Sequence, residues 1–168
     1  LKTSDSILFV GASSPARLIA KCLKEKGKRV VLIDANRNFI EQAINEGLEA
    51  LKVDIYDDDL TNNIELNDVG YLIALTGSDM VNKYALNSFS KVFGEHGAYK
   101  LASSNELKEA TVLERERFFT PNDDYINLSE AYRENPAIIE VKIETAAQYQ
   151  NILGLLSKEE KSIPLFIE

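Results

Sequence analysis

The stretch from Ile7 to Asp34 restricts the fold of this chain more than any other. It reads as a buried strand (Ile7-Leu8-Phe9-Val10), a tight turn (Gly11-Ala12-Ser13-Ser14-Pro15-Ala16) and a helix from Arg17 to Lys26. A turn at Gly27 leads into a second buried strand, Arg29 to Ile33, which ends in Asp34. Strand, turn, helix and strand in that order open a doubly wound nucleotide-binding fold. A helix that begins beside the end of the first strand aims free backbone N–H groups and a partial positive charge at whatever lies above the strand, which favours phosphate. Asp34 follows the turn at close to the spacing of about 20 residues at which a carboxylate takes a pair of ribose hydroxyls.

The glycine pattern of the turn is incomplete. Gly11 occupies the first of three glycine places, while Ser13 and Ala16 occupy the other two. Ala16 still allows close packing of helix on strand. Ser13 narrows the approach of a pyrophosphate to the backbone, although the hydroxyls of Ser13 and Ser14 can donate to a phosphate. Pro15 suits the first turn of a helix, where a missing N–H costs little. A nucleotide-binding fold with an altered or empty pocket therefore stays open as an alternative.

The alternation continues downstream. Asn36 is a good N-cap, and Phe39, Ile40, Ala43 and Ile44 fall at helical spacing before Gly47. A third strand is expected over Glu49 to Val53, followed by Asp54 and an acidic run, Asp57-Asp58-Asp59, that caps a short helix through Ile64. Tyr71 to Leu75 is a continuous apolar run, as expected of a parallel strand covered on both faces. Thr76-Gly77-Ser78-Asp79 caps a helix from Met80 to Glu95, and Tyr99 to Ala102 forms a fifth strand. Repeated strand–helix units predict an α/β fold, a doubly wound parallel sheet of the Rossmann-like kind, over residues 1–109.

Composition narrows the function classes. With 19 Lys and Arg against 27 Asp and Glu, the net charge is −8, the opposite of what a nucleic-acid binder needs to neutralise phosphates. No apolar run reaches the length of about 20 residues that spans a bilayer, and no secretory leader pattern opens the chain. A start at Leu1 in place of Met is expected of a piece excised from a longer protein. The lone Cys22 falls among apolar positions and reads as a small core residue, and the lone His96 as a charge complementing a helix C-terminus.

Ile7 to Gly11, Arg17 to Ala20, Val31 to Asn36, Val53-Asp54, and Ala74 to Asp79 with Asn82 together resemble the TrkA-N, or RCK (regulator of potassium conductance), domain. The similarity spans about Ser6 to Glu109. The resemblance implies a cytoplasmic regulatory module of a monovalent cation transporter in the cell membrane: a potassium channel, a potassium uptake system or, the preferred reading, a sodium or potassium/proton antiporter. It implies a homodimer that works with the membrane transporter portion of the same or a partner chain, and a ligand such as NAD(H), AMP or ATP. Carried onto this chain, Gly11, Ser13 and Ser14 hold phosphate, Asp34 the ribose hydroxyls, and Asn36 and Arg37 the rim. Asp54 and Ile55 flank the adenine, and Thr76 and Gly77 approach the distal part of the ligand. No catalytic residue and no metal ligand is implied.

Residues 110–168 are expected to form a small C-terminal α+β appendage that packs on the first domain or pairs with a partner chain. A charged helix runs over Leu107 to Glu116, Phe118-Phe119-Thr120-Pro121 follows, and a helix over Ser129 to Glu134 stops before Pro136. The alternation in Ile138 to Ile143 predicts a half-exposed antiparallel strand, and a helix (Thr145 to Leu156) and a last strand (Ile163 to Ile167) complete it. A small NAD-dependent oxidoreductase opens with the same unit but needs a proton donor beside the nicotinamide. No Tyr-x-x-x-Lys run supplies one: Tyr84 is followed four positions on by Ser88, and Tyr149 by Leu153. A dimerisation module with a decayed nucleotide pocket is the remaining alternative.

Overall fold

A computed structural model describes residues 5–56, 69–93, 97–109, 123–156, 158 and 162–165. The strands are β1 (Ser6–Val10), β2 (Val30–Asp34), β3 (Glu49–Lys52), β4 (Val69–Ala74) and β5 (Ala98–Lys100). The helices are α1 (Ser14–Glu25), α2 (Arg37–Asn45), α3 (Asp79–Phe93), α4 (Ser104–Glu109), α5 (Tyr125–Glu134) and α6 (Ala146–Leu156). All strand pairs are parallel, in the order β3-β2-β1-β4-β5. The chain therefore runs outward from β1 in one direction and then crosses back to run outward in the other. The switch point lies between β1 and β4, where such sheets bind their ligands.

Alternate residues of β1 enter opposite layers, which is why its sequence is apolar throughout. Ile7 and Phe9 pack with Val30, Leu32 and Ile73 against Ile19 and Ala20 of α1 and Ile40 and Ala43 of α2. Leu8 and Val10 pack with Val31, Ile33 and Leu72 against Ala85, Leu86 and Phe89 of α3. Burying each of the Val, Leu, Ile and Phe side chains among them contributes about 1.5–3 kcal/mol. Helix α2 begins where expected, because the Asn36 side chain accepts from the N–H groups of Asn38 (3.0 Å) and Phe39 (3.4 Å). Helix α1 begins earlier than its apolar spacing indicated, at Ser14, since Pro15 is already preset for the helical first turn.

Beyond β5 the chain returns to the main body. Lys100, 4% exposed, donates through Nζ to both carboxylate oxygens of Glu106 at 2.6 and 2.7 Å. Lys83 bridges the same carboxylate (3.2 Å) to Asp79 (2.8 Å). Asp124 forms a parallel bridge with Ala102, accepts from the Ser104 hydroxyl at 2.6 Å and caps α5 by accepting from Asn127 N–H at 2.9 Å. Leu128 then buries α5 in the core beside α1. The helix starts at Tyr125 rather than Ser129 because that cap lies just ahead of it.

The expected strand over residues 138–143 does not form among the described residues. An extended segment becomes a strand only by pairing with a neighbouring edge, and this one pairs with none of the described strands. Ile138 packs on the core and Lys26 holds Glu140 at 2.7 Å, but Ile139 and Val141 stand 76% and 57% exposed. Residues 162–165 likewise carry no strand, and 166–167 lie outside the described residues. Helix α6 forms one residue later than expected and buries none of its side chains. The acidic run Asp57-Asp58-Asp59 with its helix, His96, and the stretch 110–122 with Phe118-Phe119 lie outside the described residues. No described helix is long and apolar enough to cross a membrane.

Candidate functional site

The C-terminal ends of β1, β2, β3 and β4 surround a cavity of about 390 Å³. Gly11, Ser13, Asp34, Asn36, Asp54, Ile55, Thr76 and Gly77 all line it. Ser14 lines an adjoining cavity of about 440 Å³, and Ser13, Phe39 and Tyr125 face both. Arg37 is outside either lining: its side chain is 77% exposed and pairs with Glu41 at 2.7 Å one turn along α2.

Gly11 makes the turn possible. Its φ of +118° is one that side-chain-bearing residues rarely adopt, and a Cβ there would stand 3.2 Å from the backbone of Leu75 and from Thr76. The close approach of the β1 end to the β4 end thus needs glycine on both counts. Gly11→Ala is expected to cost about 1–3 kcal/mol, read as a lower urea midpoint at unchanged slope; an unchanged midpoint would contradict this account.

Asp34 ties the turn to β2. Its Oδ2 accepts from Ala12 N–H at 2.9 Å and its Oδ1 from Asn36 N–H at 2.8 Å. Each oxygen keeps a further lone pair that a ribose hydroxyl can use. Asp54 makes a similar local turn, accepting from Tyr56 N–H at 3.0 Å. On the other side of the switch point, Asn82, 2% exposed, explains the Thr76…Asn82 spacing. Its Oδ1 accepts from the Thr76 N–H (3.0 Å) and hydroxyl (2.7 Å), and its amide donates to the Thr76 carbonyl (3.0 Å).

Arg17 is buried beneath the turn, a role that helical spacing alone did not reveal. Its Nη1 donates to the Ala12 carbonyl at 2.7 Å, Nη2 to Ser14 Oγ at 3.2 Å and Nε to Glu46 at 3.1 Å. Burial pushes the Glu46 carboxyl up, but hydrogen bonds from Lys21 and Arg17 outweigh it and hold it below the usual range. Ser13, at the N-cap of α1, is 6% exposed, makes no capping bond, and its hydroxyl is buried without a hydrogen-bond partner. A buried orphan hydroxyl is costly. Here it sits where the α1 N-terminus meets both cavities, a place suited to an anion.

One end of the paired cavities is acidic, with Asp34 and Asp54, and the other carries Arg133 and no carboxylate. Sugar hydroxyls fit the first end and phosphate the second. Among the described residues no cluster could hold a metal ion. Tyr125, Tyr132 and Arg133 come from α5 and were not marked as site residues by the sequence. The Asp124 cap was their only local signal.

The family description "TrkA-N domain" matches residues 7–120. No curated relative matches the chain significantly. Among solved structures, the TrkA-N domain of inner membrane protein ybaL from Escherichia coli is similar at TM-score 0.53 and 14% identity, covering 93% of this chain and 99% of that one. The NAD(P)-binding domain of an exopolyphosphatase-related protein from Archaeoglobus fulgidus is similar at TM-score 0.51 and 19% identity, with the same two coverages, 93% and 99%. A xanthine dehydrogenase from Bacillus halodurans aligns at TM-score 0.51 and 15% identity over 92% of this chain and 46% of its own. At these identities the likeness is one of Rossmann-like fold.

Proposed function

The chain belongs to the TrkA-N domain family, and from that premise we propose that it is a regulatory domain that binds an adenine nucleotide or NAD(H) and adjusts a monovalent cation transporter. The observation that carries the reading is the meeting, at the α1 N-terminus, of Asp34 and the unpartnered Ser13 hydroxyl around one cavity. Nothing in that arrangement aligns a nucleophile with a base, so we read the site as one that binds rather than transforms. The transporter is a potassium uptake system or a cation/proton antiporter, in the same chain or a partner. Regulation requires the nucleotide to bind two arrangements of the domain with different affinity. We assign those arrangements to a homodimer, and the exposed Ile139, Val141 and Leu155 offer apolar surface for a second copy.

Calorimetric titration with AMP, ATP, NAD, NADH and NADPH, alongside the mass in solution, tests this. The expected result is a dimer that binds at least one of them, with affinity lowered at least about tenfold in Asp34→Ala. That variant also loses two acceptors of backbone N–H groups and is expected to be less stable by about 1–3 kcal/mol. Binding that is indifferent to Asp34→Ala would overturn the site, and hydride transfer to a carbonyl substrate would overturn the regulatory reading.

A further inference from the structure

We propose that α5 forms the second wall of the phosphate subsite, with Arg133 contacting the terminal phosphate of the ligand and Tyr125 restricting that ligand to a single nucleoside. This rests on the nucleotide reading above and narrows it to a mononucleoside di- or triphosphate. Both residues lie outside the region matched to the family, residues 7–120.

The 440 Å³ cavity lies between the start of α1, at Ser13, Ser14 and Pro15, and one face of α5, at Tyr125, Ser129, Tyr132 and Arg133. In a chain of net charge −8, its lining has one cation and no carboxylate. Arg133 forms no ion pair among the described residues. The helix N-terminus alone would not define a ligand site. The Ser13 hydroxyl adds an independent mark: it is buried without a hydrogen-bond partner on a residue that lines both cavities. A phosphate oxygen between Ser13 and Arg133 would satisfy the hydroxyl and neutralise the guanidinium, whose planar fork suits phosphate.

Tyr125 determines what lies on the other side of the switch point. In a doubly wound sheet a dinucleotide lays its first nucleoside over β1 to β3 and its second over β4. The cavity runs past both halves, Asp34 and Ile55 on the first and Thr76, Ser78 and Val81 on the second. Over the second half, the Tyr125 ring is packed against Gly77, near enough that a Cβ on Gly77 would be 3.1 Å from the ring. The Asp124 contacts with Ala102 and Ser104 fix the backbone from which the ring projects. A second nucleoside would have to displace the Tyr125 ring from Gly77, whereas phosphates turning toward α5 would meet Arg133.

The test is calorimetry of the full 168-residue chain with adenosine, ADP, ATP and NAD, on wild type, Arg133→Gln, Arg133→Lys and Tyr125→Ala. Wild type is expected to bind ADP and ATP more tightly than NAD. Arg133→Gln is expected to weaken ADP and ATP roughly ten- to hundredfold, leaving adenosine within about twofold, with Arg133→Lys intermediate. Arg133 is exposed, so an unchanged thermal midpoint is expected. Tyr125→Ala is expected to raise NAD affinity relative to ADP. Equal losses for adenosine and ATP, no loss in Arg133→Gln, or wild-type NAD affinity matching ADP would each overturn this inference alone. Wild type binding none of the nucleotides would overturn the proposed function with it.

Discussion

Arg17→Met is expected to destabilise the domain by about 2–4 kcal/mol and to weaken nucleotide binding further than the fold loss explains. A methionine fills the space of the Arg17 stem but donates nothing. The buried Ala12 carbonyl then loses its 2.7 Å partner, and Glu46, 30% exposed, keeps only Lys21 at 3.0 Å. Removing one partner of a buried charged pair costs about 3–5 kcal/mol, reduced here because Glu46 reaches water. The affinity effect follows from position, since Arg17 holds Ala12 and Ser14 on either side of Ser13. Urea unfolding gives the first quantity and calorimetry of the folded variant the second. A loss below about 1 kcal/mol would mean that the turn holds its shape without the guanidinium.

Lys100→Met is expected to cost about 3–5 kcal/mol and to change the response to acid. Glu106, its side chain 6% exposed, would be left with Ser103 N–H and the half-exposed Lys83. In the wild type, burial pushes the Glu106 carboxyl up, but hydrogen bonds from Lys100 and Ser103 overcome it and hold the group at about 2, against an ordinary 4.5. On lowering the pH the unfolded chain therefore takes up this proton first. The stability that the ion pair contributes is whole above about 4.5 and lost by about 2. Without Lys100 this depression is lost, so the variant is less stable at neutral pH but loses less of its stability between about pH 4.5 and 2. Glu106→Gln with Lys100→Met should recover part of the loss, since no buried charge is left alone. An acid profile unaltered in Lys100→Met would dismiss the pair as a source of the stability lost in acid.

How much of this was legible beforehand follows from the range of each interaction. β1, β2 and most of β4 were read from apolar runs, because strands buried on both faces need apolar residues at nearly every position. β3, exposed at Glu49, Leu51 and Lys52, was read from its place after a helix, and Asn36 marked its helix through a bond three residues away. The Asp34 side of the cavity was likewise visible, since a strand end and a following turn are fixed by local order. Residues 138–143 misled because period-two alternation reports a segment able to pair, and pairing depends on an edge elsewhere. Arg17 looked like an ordinary helix residue, its carbonyl partner being invisible to a pattern of side chains. Arg133 and Tyr125 were missed for a deeper reason. Their approach to Ser13 and Gly77 depends on where Asp124 docks on Ala102, a contact between separate elements.

The sheet order has a consequence for a chain being synthesised from its N-terminus. β1 finds β2 as soon as α1 has followed it, but its opposite edge is for β4, which emerges only after α2, β3 and the segment beyond. During that interval the nascent domain carries a bare row of peptide groups at its centre, the kind of edge that invites wrong pairing. Closing the long crossover is the slow, entropically costly step. The seam it closes is the floor of the crevice, with Gly11 and Asp34 on one bank and Thr76 and Gly77 on the other. A half-made chain therefore lacks one bank of the cavity, which cannot form before β4 has joined β1.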